Sequence, residues 1–148
     1  MDNCFLDANV CISFVQNPHQ FHDRAVSTLE HIIKLRFTPV VSPLVLDEFI
    51  YIIKRDYGSK SLVNTKDRLS ELLSIPNLMI VNPSPEPKQQ VKILDLVAKY
   101  NLKPRDAYHL MTMQTNKIKY FATFDNDFSK VFKGRVLKPL ISPPQSPS

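Results

Sequence analysis

Glycine and cysteine are scarce in this chain of 148 residues, and their scarcity rules out several kinds of site. Two glycines, Gly58 and Gly134, are too few for the G-x-G-x-x-G loop of dinucleotide-binding proteins or for the G-x-x-x-x-G-K-[ST] phosphate loop. Two cysteines, Cys4 and Cys11, form neither a C-x-x-C pair nor a disulfide framework. We therefore expect both cysteines to be buried as small apolar side chains.

Long apolar runs are also missing. No stretch approaches the roughly 20 apolar residues that span a membrane, and the acidic start of the chain does not resemble a signal peptide. We therefore expect a cytoplasmic protein with no membrane partner. The length suits one domain, which we place at residues 1–141, followed by a disordered tail rich in proline and serine at residues 142–148.

Positive charge exceeds negative charge and gives the chain a formal net charge of +5. Such an excess indicates an anionic partner, with nucleic acid the first choice. The excess is concentrated after residue 116, where only Asp125 and Asp127 oppose the basic residues. These basic residues are Lys117, Lys119, Lys130, Lys133, Arg135 and Lys138.

Short apolar runs alternate with segments of helical periodicity along the chain. The runs predict strands at residues 4–6, 38–41, 78–81, 120–122 and 136–137. The periodic segments predict helices at 19–35, 43–57 and 61–74, one that ends near residue 100, one that begins at Pro104, and at most a helical turn at 127–132. This alternation predicts an α/β fold, a single three-layer domain with a central parallel sheet of about five strands flanked by helices.

Four carboxylates stand where a predicted strand ends or a predicted helix begins. They are Asp7, Glu48, Asp106 and Asp125, called the acidic cluster below. The carboxyl ends of parallel strands open on one edge of a sheet, so these acids can meet if the first and fourth strands are neighbours. In the first turn of a helix, Asp106 would also have its ionised form favoured by free N–H groups and the helix dipole.

A cluster of carboxylates repels itself unless a cation offsets the charge, and Mg²⁺ or Mn²⁺ prefer carboxylate and water oxygens. A water on such an ion is a strong nucleophile at neutral pH, and the ion also stabilises charge on phosphate oxygens. The chemistry indicated is phosphodiester hydrolysis. Any one of these acids alone is more often a turn former or a helix cap, so the hypothesis depends on all four together.

Each acid lies in a short motif, and the four motifs together carry a family resemblance. They are FLDAN at residues 5–9, SPLVLDE at 42–48, PRDAYHL at 104–110 and ATFDNDF at 122–128. In this order and spacing, over residues 3–138, they resemble the PIN-domain ribonucleases that form the toxin half of VapBC toxin–antitoxin pairs. Ala8 departs from the pattern, because a hydroxyl residue is common there, but it leaves the acids untouched.

The resemblance implies a divalent-metal-dependent endoribonuclease that uses Mg²⁺ or Mn²⁺. The implied metal ligands are Asp7, Asp106 and Asp125, together with Glu48 acting through a water or as a base, and Asp127 as the fifth acid that members often carry. Asn9 and Thr123 match positions that often hydrogen-bond the acids or the waters on the metal. The resemblance further implies an RNA substrate, a homodimer and a cognate antitoxin that holds the enzyme inactive.

Three basic residues near the motifs are predicted to contact RNA phosphates. Lys130 and Lys133 would add affinity without sequence preference. Arg105 has two open interpretations, since it would either bind a phosphate or neutralise the adjacent Asp106.

One histidine and three phenylalanines near the motifs are interpreted as packing residues. His109 shares a helix face with Asp106 and could orient a carboxylate or touch substrate, but it has no other metal ligand at a useful spacing. The apolar context of Phe121, Phe124 and Phe128 predicts core positions rather than platforms for stacked bases.

Other functions are less consistent with the sequence. A receiver domain needs an aspartate after the third strand, where Asn82 stands, and a haloacid-dehalogenase phosphatase needs an Asp-x-Asp pair where Asp7 is followed by Ala8 and Asn9. Two alternatives stay open: a catalytically silent PIN-like module that binds RNA or protein, and an RNA-maturation nuclease without an antitoxin.

Overall fold

The computed structural model describes residues 2–58 and 62–141. The predicted tail, 142–148, lies outside the described residues. The strands are β1 (Asn3–Leu6), β2 (Thr38–Val41), β3 (Met79–Ile80), β4 (Tyr120–Ala122) and β5 (Lys138–Pro139). The helices are α1 (Ala8–Val15), α2 (His22–Lys34), α3 (Pro43–Tyr57), α4 (Leu62–Leu73), α5 (Pro87–Val91), α6 (Ile93–Tyr100), α7 (Pro104–Thr115) and α8 (Ser129–Lys133).

The five strands form one parallel sheet in the order β3-β2-β1-β4-β5. In the centre, Phe5 of β1 pairs with Val40 of β2 on one side and with Phe121 of β4 on the other. The first and fourth strands are therefore neighbours, as the convergence of the acids required. The chain turns to opposite sides of β1 when it forms β2 and β4, so the carboxyl end of β1 is the topological switch point of the sheet.

Helices cover the sheet in two groups, which confirms the predicted three-layer α/β fold. In one group α1 packs against α2, α3 and α4, and in the other α6 packs against α5 and α7. The core between the layers is apolar and includes Phe5, Phe49 and Phe121, all fully buried. Among the described residues, no helix has both the length and the apolar character that crossing a bilayer requires.

Local sequence signals account for the bounds of α3. The Ser42 hydroxyl accepts a hydrogen bond from the N–H of Val45 at 3.3 Å, and Pro43 occupies the first turn, where its missing N–H has no cost. Gly58 ends the helix with a positive φ of 78°, a conformation that side chains with a Cβ rarely adopt. This helix was predicted with the same bounds.

Both cysteines are buried and unpaired, as predicted. Burial raises the pKa of the Cys4 thiol to about 12 and also raises that of Cys11. Neither thiol is available as a nucleophile at neutral pH, so the chemistry of the molecule lies elsewhere.

The structure differs from the predicted elements in three details. Helix α1 was not predicted, because its residues are apolar on most sides and give no helical stripe. The last strand is Lys138–Pro139 rather than residues 136–137, because Leu137 packs into the core while the next two residues pair with β4. The helix predicted to end near residue 100 is divided into α5 and α6.

Candidate functional site

A cleft of about 520 Å³ lies at the switch point, between the carboxyl ends of β1 and β4. All four members of the acidic cluster line it. They come from four parts of the chain: the residue after β1, helix α3, the start of α7 and the loop after β4. The structure thus brings together the carboxylates that the sequence suggested would meet, and their roles as ligands stay predictions.

Asp7 is the most deeply placed of the four acids, and only 7% of its surface is exposed. It caps the N-terminus of α1, and its Oδ1 accepts a hydrogen bond from the N–H of Ala8 at 2.8 Å. Burial raises the pKa of the Asp7 carboxyl, and so does nearby Glu48, while His109 and the Thr123 hydroxyl lower it. The net shift is upwards, which marks a carboxylate whose charge is poorly compensated.

Thr123 and Asn9 connect Asp7 to the loop after β4. The Thr123 hydroxyl donates to Asp7 Oδ2 at 2.7 Å and accepts from the Asp125 N–H at 3.1 Å. Asn9 Nδ2 lies 3.4 Å from Asp7 Oδ2 and 3.3 Å from Thr123 Oγ1, and its Oδ1 accepts from the Phe124 N–H at 3.2 Å. Both residues thus hydrogen-bond Asp7, and their support of a metal site stays a prediction.

Glu48 is held from α7 by His109, which sequence reasoning assigned to packing. His109 is buried and its ring lies 5.9 Å from that of Phe5, so the packing role is real. However, its Nε2 also lies 2.7 Å from Glu48 Oε1, and a carboxylate accepts only if Nε2 carries the hydrogen. The only signal in the sequence was the shared helix face of His109 and Asp106.

Arg105 reaches the same carboxylate from the surface. Its Nε lies 3.7 Å from Glu48 Oε1, and 59% of its side chain is exposed. The partner of this guanidinium is therefore Glu48 rather than the adjacent Asp106 that the sequence suggested. Such an exposed pair is weak, so Arg105 can still turn towards an anionic ligand.

Asp106 lies in the first turn of α7, where the sequence suggested that the helix would favour its ionised form. The pKa of Asp106 instead shifts upwards, which favours the protonated form. Burial, reinforced by the negative charges of Asp7, Asp127 and Asp125 and opposed by His109, raises the pKa of Asp106 to about 6. Desolvation and crowding of like charges therefore outweigh the helix dipole here.

Asp125 and Asp127 occupy the exposed loop between β4 and α8. The N–H of Asp127 donates to Asp125 Oδ1 at 3.1 Å, which sets the direction of that carboxylate. Asp127 is near enough to raise the pKa of Asp106, although it is not among the described residues that line the cleft. Lys130 and Lys133 on α8 are exposed and also lie outside the described lining.

A divalent cation fits these donors. Ligand atoms of Asp7, Glu48 and His109 all lie within 4.8 Å of one another, and Asp106 and Asp125 face the same cleft from outside this close group. Burial raises the pKa values of Asp7 and Asp106, and neighbouring carboxylates raise them further, so a bound cation would favour the ionised forms of both acids. Carboxylate oxygens in this number are the donor set of Mg²⁺ and Mn²⁺.

Aromatic side chains line the same cleft as the carboxylates. They are His19, Phe21 and Phe124. Phe121 and Phe128 are fully buried as predicted, but Phe124 is only partly buried and faces the site. The sequence did not predict that Phe21 lines the cleft, because Phe21 fell within the helix predicted at residues 19–35. In the structure, α2 begins at His22 and Phe21 precedes it.

The fold and the acidic cleft together define an α/β domain that places carboxylates at a topological switch point. The model of the PIN domain family matches residues 4–133. The chain therefore belongs to the PIN domain family, as its four motifs suggested.

Solved structures of toxin–antitoxin proteins share the fold. VapBC2 from Rickettsia felis, bound to a DNA fragment from its promoter, aligns with a TM-score of 0.68 and 19% identity over 92% of this chain and 96% of that chain. VapC20 of Mycobacterium tuberculosis, a sarcin–ricin loop cleaving toxin, aligns with a TM-score of 0.63 and 16% identity over 87% of this chain and 95% of that chain. A toxin–antitoxin complex from Klebsiella pneumoniae aligns with a TM-score of 0.61 and 18% identity over 86% of this chain and 91% of that chain. No curated protein matches the chain significantly in sequence.

Proposed function

We propose that this PIN-domain protein is a divalent-metal-dependent endoribonuclease that hydrolyses RNA phosphodiester bonds with a metal-activated water. The observation that supports this most strongly is the meeting of all four acids of the cluster at one cleft, with the pKa values of Asp7 and Asp106 raised. A structural role for these acids would not require them to share a cleft at the cost of mutual repulsion.

The proposed ligands of Mg²⁺ or Mn²⁺ are Asp7, Asp106 and Asp125, with Glu48 acting through a water or as a base and Asp127 as an outer acid. When bound, the cation supplies positive charge that activates water and stabilises the phosphate as negative charge develops on it. Thr123 and Asn9 keep Asp7 oriented through their hydrogen bonds to its Oδ2.

Glu48 is the proposed base for the attacking water. Its Oε1 accepts from His109 at 2.7 Å and faces Arg105 at 3.7 Å, so that oxygen is already engaged. Oε2 is then the oxygen that takes the proton. By fixing one oxygen, His109 leaves the other in a defined direction, which is the usual requirement for a general base.

RNA is the proposed substrate because the chain carries a net charge of +5 although its cleft is acidic. The basic residues outside the cleft would bind the RNA backbone, while the cation would bring the scissile phosphate to the carboxylates. Arg105, Lys130 and Lys133 are the proposed phosphate contacts. An RNA substrate would place the protein in the cytoplasm.

We further propose that the protein is the toxin of a toxin–antitoxin pair, that it forms a homodimer and that a cognate antitoxin inhibits it. The likeness of its fold to that of VapBC2 and of the Klebsiella pneumoniae complex supports this proposal. A neighbouring gene for a small DNA-binding protein, and inhibition of cleavage by that protein, would establish the pairing.

Cleavage of a structured RNA pool by the purified protein tests the nuclease proposal. We expect cleavage with Mn²⁺ or Mg²⁺, and its loss with EDTA or in the Asp7→Asn and Glu48→Gln variants. Asp47→Asn is the matched control, because Asp47 is the exposed acid next to Glu48 on α3. Cleavage that survives both EDTA and Asp7→Asn would refute the proposal.

A further inference from the structure

We infer that the aromatic wall of the cleft binds an unpaired base of the RNA, stacked on Phe21 beside the carboxylates. The aromatic wall consists of His19, Phe21 and Phe124. The inference rests on the proposed ribonuclease function and specifies its substrate as RNA with at least one unstacked base next to the scissile phosphate.

The Phe21 ring lies close to both of the other rings. The ring centroids of Phe21 and Phe124 are 5.6 Å apart, and those of His19 and Phe21 are 6.0 Å apart. The N–H of Phe21 donates to His19 Nδ1 at 3.0 Å, which orients the imidazole beside the phenyl ring. The rings are therefore preorganised, which lowers the entropy cost of stacking a ligand on them.

Phe124 is already covered by other groups. The guanidinium carbon of Arg24 lies 4.9 Å from the centroid of the Phe124 ring, and Phe21 packs beside it. Phe21 is the more open ring, and 37% of its surface is exposed although it lines a cleft. Packing alone explains only the contact with Phe124, which an aliphatic side chain would make equally well.

The position of the aromatic wall favours a nucleobase over other apolar groups. Carboxylates and aromatic rings line the same cleft. A nucleotide has the matching parts: a phosphate, which a cation joins to the carboxylates, and a flat base attached through a sugar. Base–aromatic stacking is the common way in which proteins bind single-stranded nucleic acid.

A base can stack on Phe21 only if it has left its neighbours in the RNA. The inferred substrate is therefore a loop, bulge or single strand rather than a continuous duplex. Purines have the larger stacking surface, so we expect a purine to be preferred at this position.

The test combines a protein variant with an RNA modification. Binding of short single-stranded RNAs is measured by fluorescence anisotropy with Ca²⁺, each RNA carrying an abasic nucleotide at a different position. For the wild type, one abasic position should weaken binding by about 5-fold to 150-fold. Phe21→Leu should weaken binding of the intact RNA and should make that abasic position almost neutral, which a merely structural role of the ring would not do.

Two controls accompany this cycle. Phe21→Tyr keeps a ring and should bind like the wild type, and Tyr57→Leu removes an aromatic side chain that is exposed at the end of α3, outside the described cleft lining. A fluorescent reporter tests the stacking without a variant. 2-Aminopurine is placed at the sensitive position between abasic nucleotides, so that it is unstacked in the free RNA, and its fluorescence should fall when the wild-type protein binds, because stacking on the ring quenches it.

The outcomes separate the inference from the function on which it rests. Suppose that the wild type cleaves RNA and that abasic nucleotides weaken binding equally in the wild type and in Phe21→Leu. That result would overturn the inference alone. A rise in 2-aminopurine fluorescence on binding would do the same, even if Phe21→Leu does not fold. No binding or cleavage of RNA by the wild type would overturn both. An effect of Phe21→Leu only on the binding of a protein partner would assign the ring to a protein interface instead.

Discussion

The buried Thr123 hydroxyl has three hydrogen-bond partners, which use its one donor and both acceptor positions. It donates to Asp7 and accepts from the Asp125 N–H and from Asn9. Through it, a carboxylate after β1 is aligned with the loop after β4, so the hydroxyl holds together two parts of the proposed metal site. Supporting residues of this kind are typically worth about 10-fold to 100-fold in metal affinity.

We predict that Thr123→Val lowers the affinity for Mn²⁺ by about 10-fold to 100-fold, because Asp7 loses a hydrogen bond that favours its ionised form. Thr123→Ser keeps the hydroxyl and should bind Mn²⁺ like the wild type. Calorimetric titration at pH 7 measures both. Equal affinities for the valine and serine variants would show that the hydroxyl does not support the site.

Asp106 should make the metal-free protein less stable at neutral pH. Its pKa is raised from 3.8 to about 6, so between these values the folded protein holds more protons than the unfolded chain. The free energy of unfolding must then fall as pH rises from about 4 to about 6, and it stays lower above that range. Protons also compete with a cation for this carboxylate, so metal affinity should weaken as pH falls below about 6.

We predict that Asp106→Asn raises the free energy of unfolding in EDTA at pH 7 and reduces its decline between pH 4 and 6, while abolishing cleavage. Urea denaturation across this pH range measures the effect. Asp95→Asn is a matched control, since Asp95 also lies in the first turn of a helix but is exposed. An Asp106→Asn variant less stable than the wild type at pH 7 would contradict the predicted shift.

A hydrogen bond between Glu48 and His109 joins helices α3 and α7. The two residues are 61 positions apart in the chain. The His109 side chain is 1% exposed and that of Glu48 17%, so water competes weakly for this hydrogen bond. The neighbouring contact of Arg105 with Glu48 is longer and open to solvent.

We predict a coupling free energy of about 1–3 kcal/mol between Glu48 and His109 in a double-mutant cycle of Glu48→Ala and His109→Leu. The same cycle with Arg105→Ala should give less than about 1 kcal/mol, because that pair is exposed. Urea denaturation in EDTA measures both without relying on activity. A coupling near zero between Glu48 and His109 would mean that His109 contributes by packing alone.

Helices α1 and α3 show why some elements were predictable and others were not. The bounds of α3 depend on local signals: the cap Ser42, the proline after it and the final Gly58. Such signals can be predicted from the sequence alone. Helix α1 is buried among three other helices and needs no amphipathic stripe, so its apolar run could equally indicate a strand.

The charge of the whole molecule is divided between an acidic cleft and a basic exterior. With RNA as the proposed substrate, the acids of the cluster would repel it until a cation is bound, whereas the basic residues would attract it at all times. Metal binding should therefore be required for RNA to enter the cleft but not for RNA to approach the protein.

We predict that Lys130→Ala and Lys133→Ala each weaken RNA binding uniformly across sequences and reduce the slope of log affinity against log salt by about 0.7. Lys34→Ala is the control, because Lys34 ends α2 just before β2 begins and so lies towards the amino edge of the sheet, away from the cleft. The slope is measured by fluorescence anisotropy at about 50 to 200 mM salt, the range over which phosphate contacts weaken. An equal change of slope for Lys34→Ala would indicate a diffuse charge effect.

Periodicity, caps and the position of acids after strand ends are local properties, and they were enough to predict the parallel fold and the meeting of Asp7, Glu48, Asp106 and Asp125. The contact of His109 with Glu48, the raised pKa of Asp106 and the exposure of Phe21 were not predictable in that way. Each depends on the distance or burial of groups that are far apart in the chain, as with Asp7 and Thr123 at 116 positions. Such quantities take their values only when the helices pack around the sheet, because burial and the surrounding charges then determine what each side chain can do.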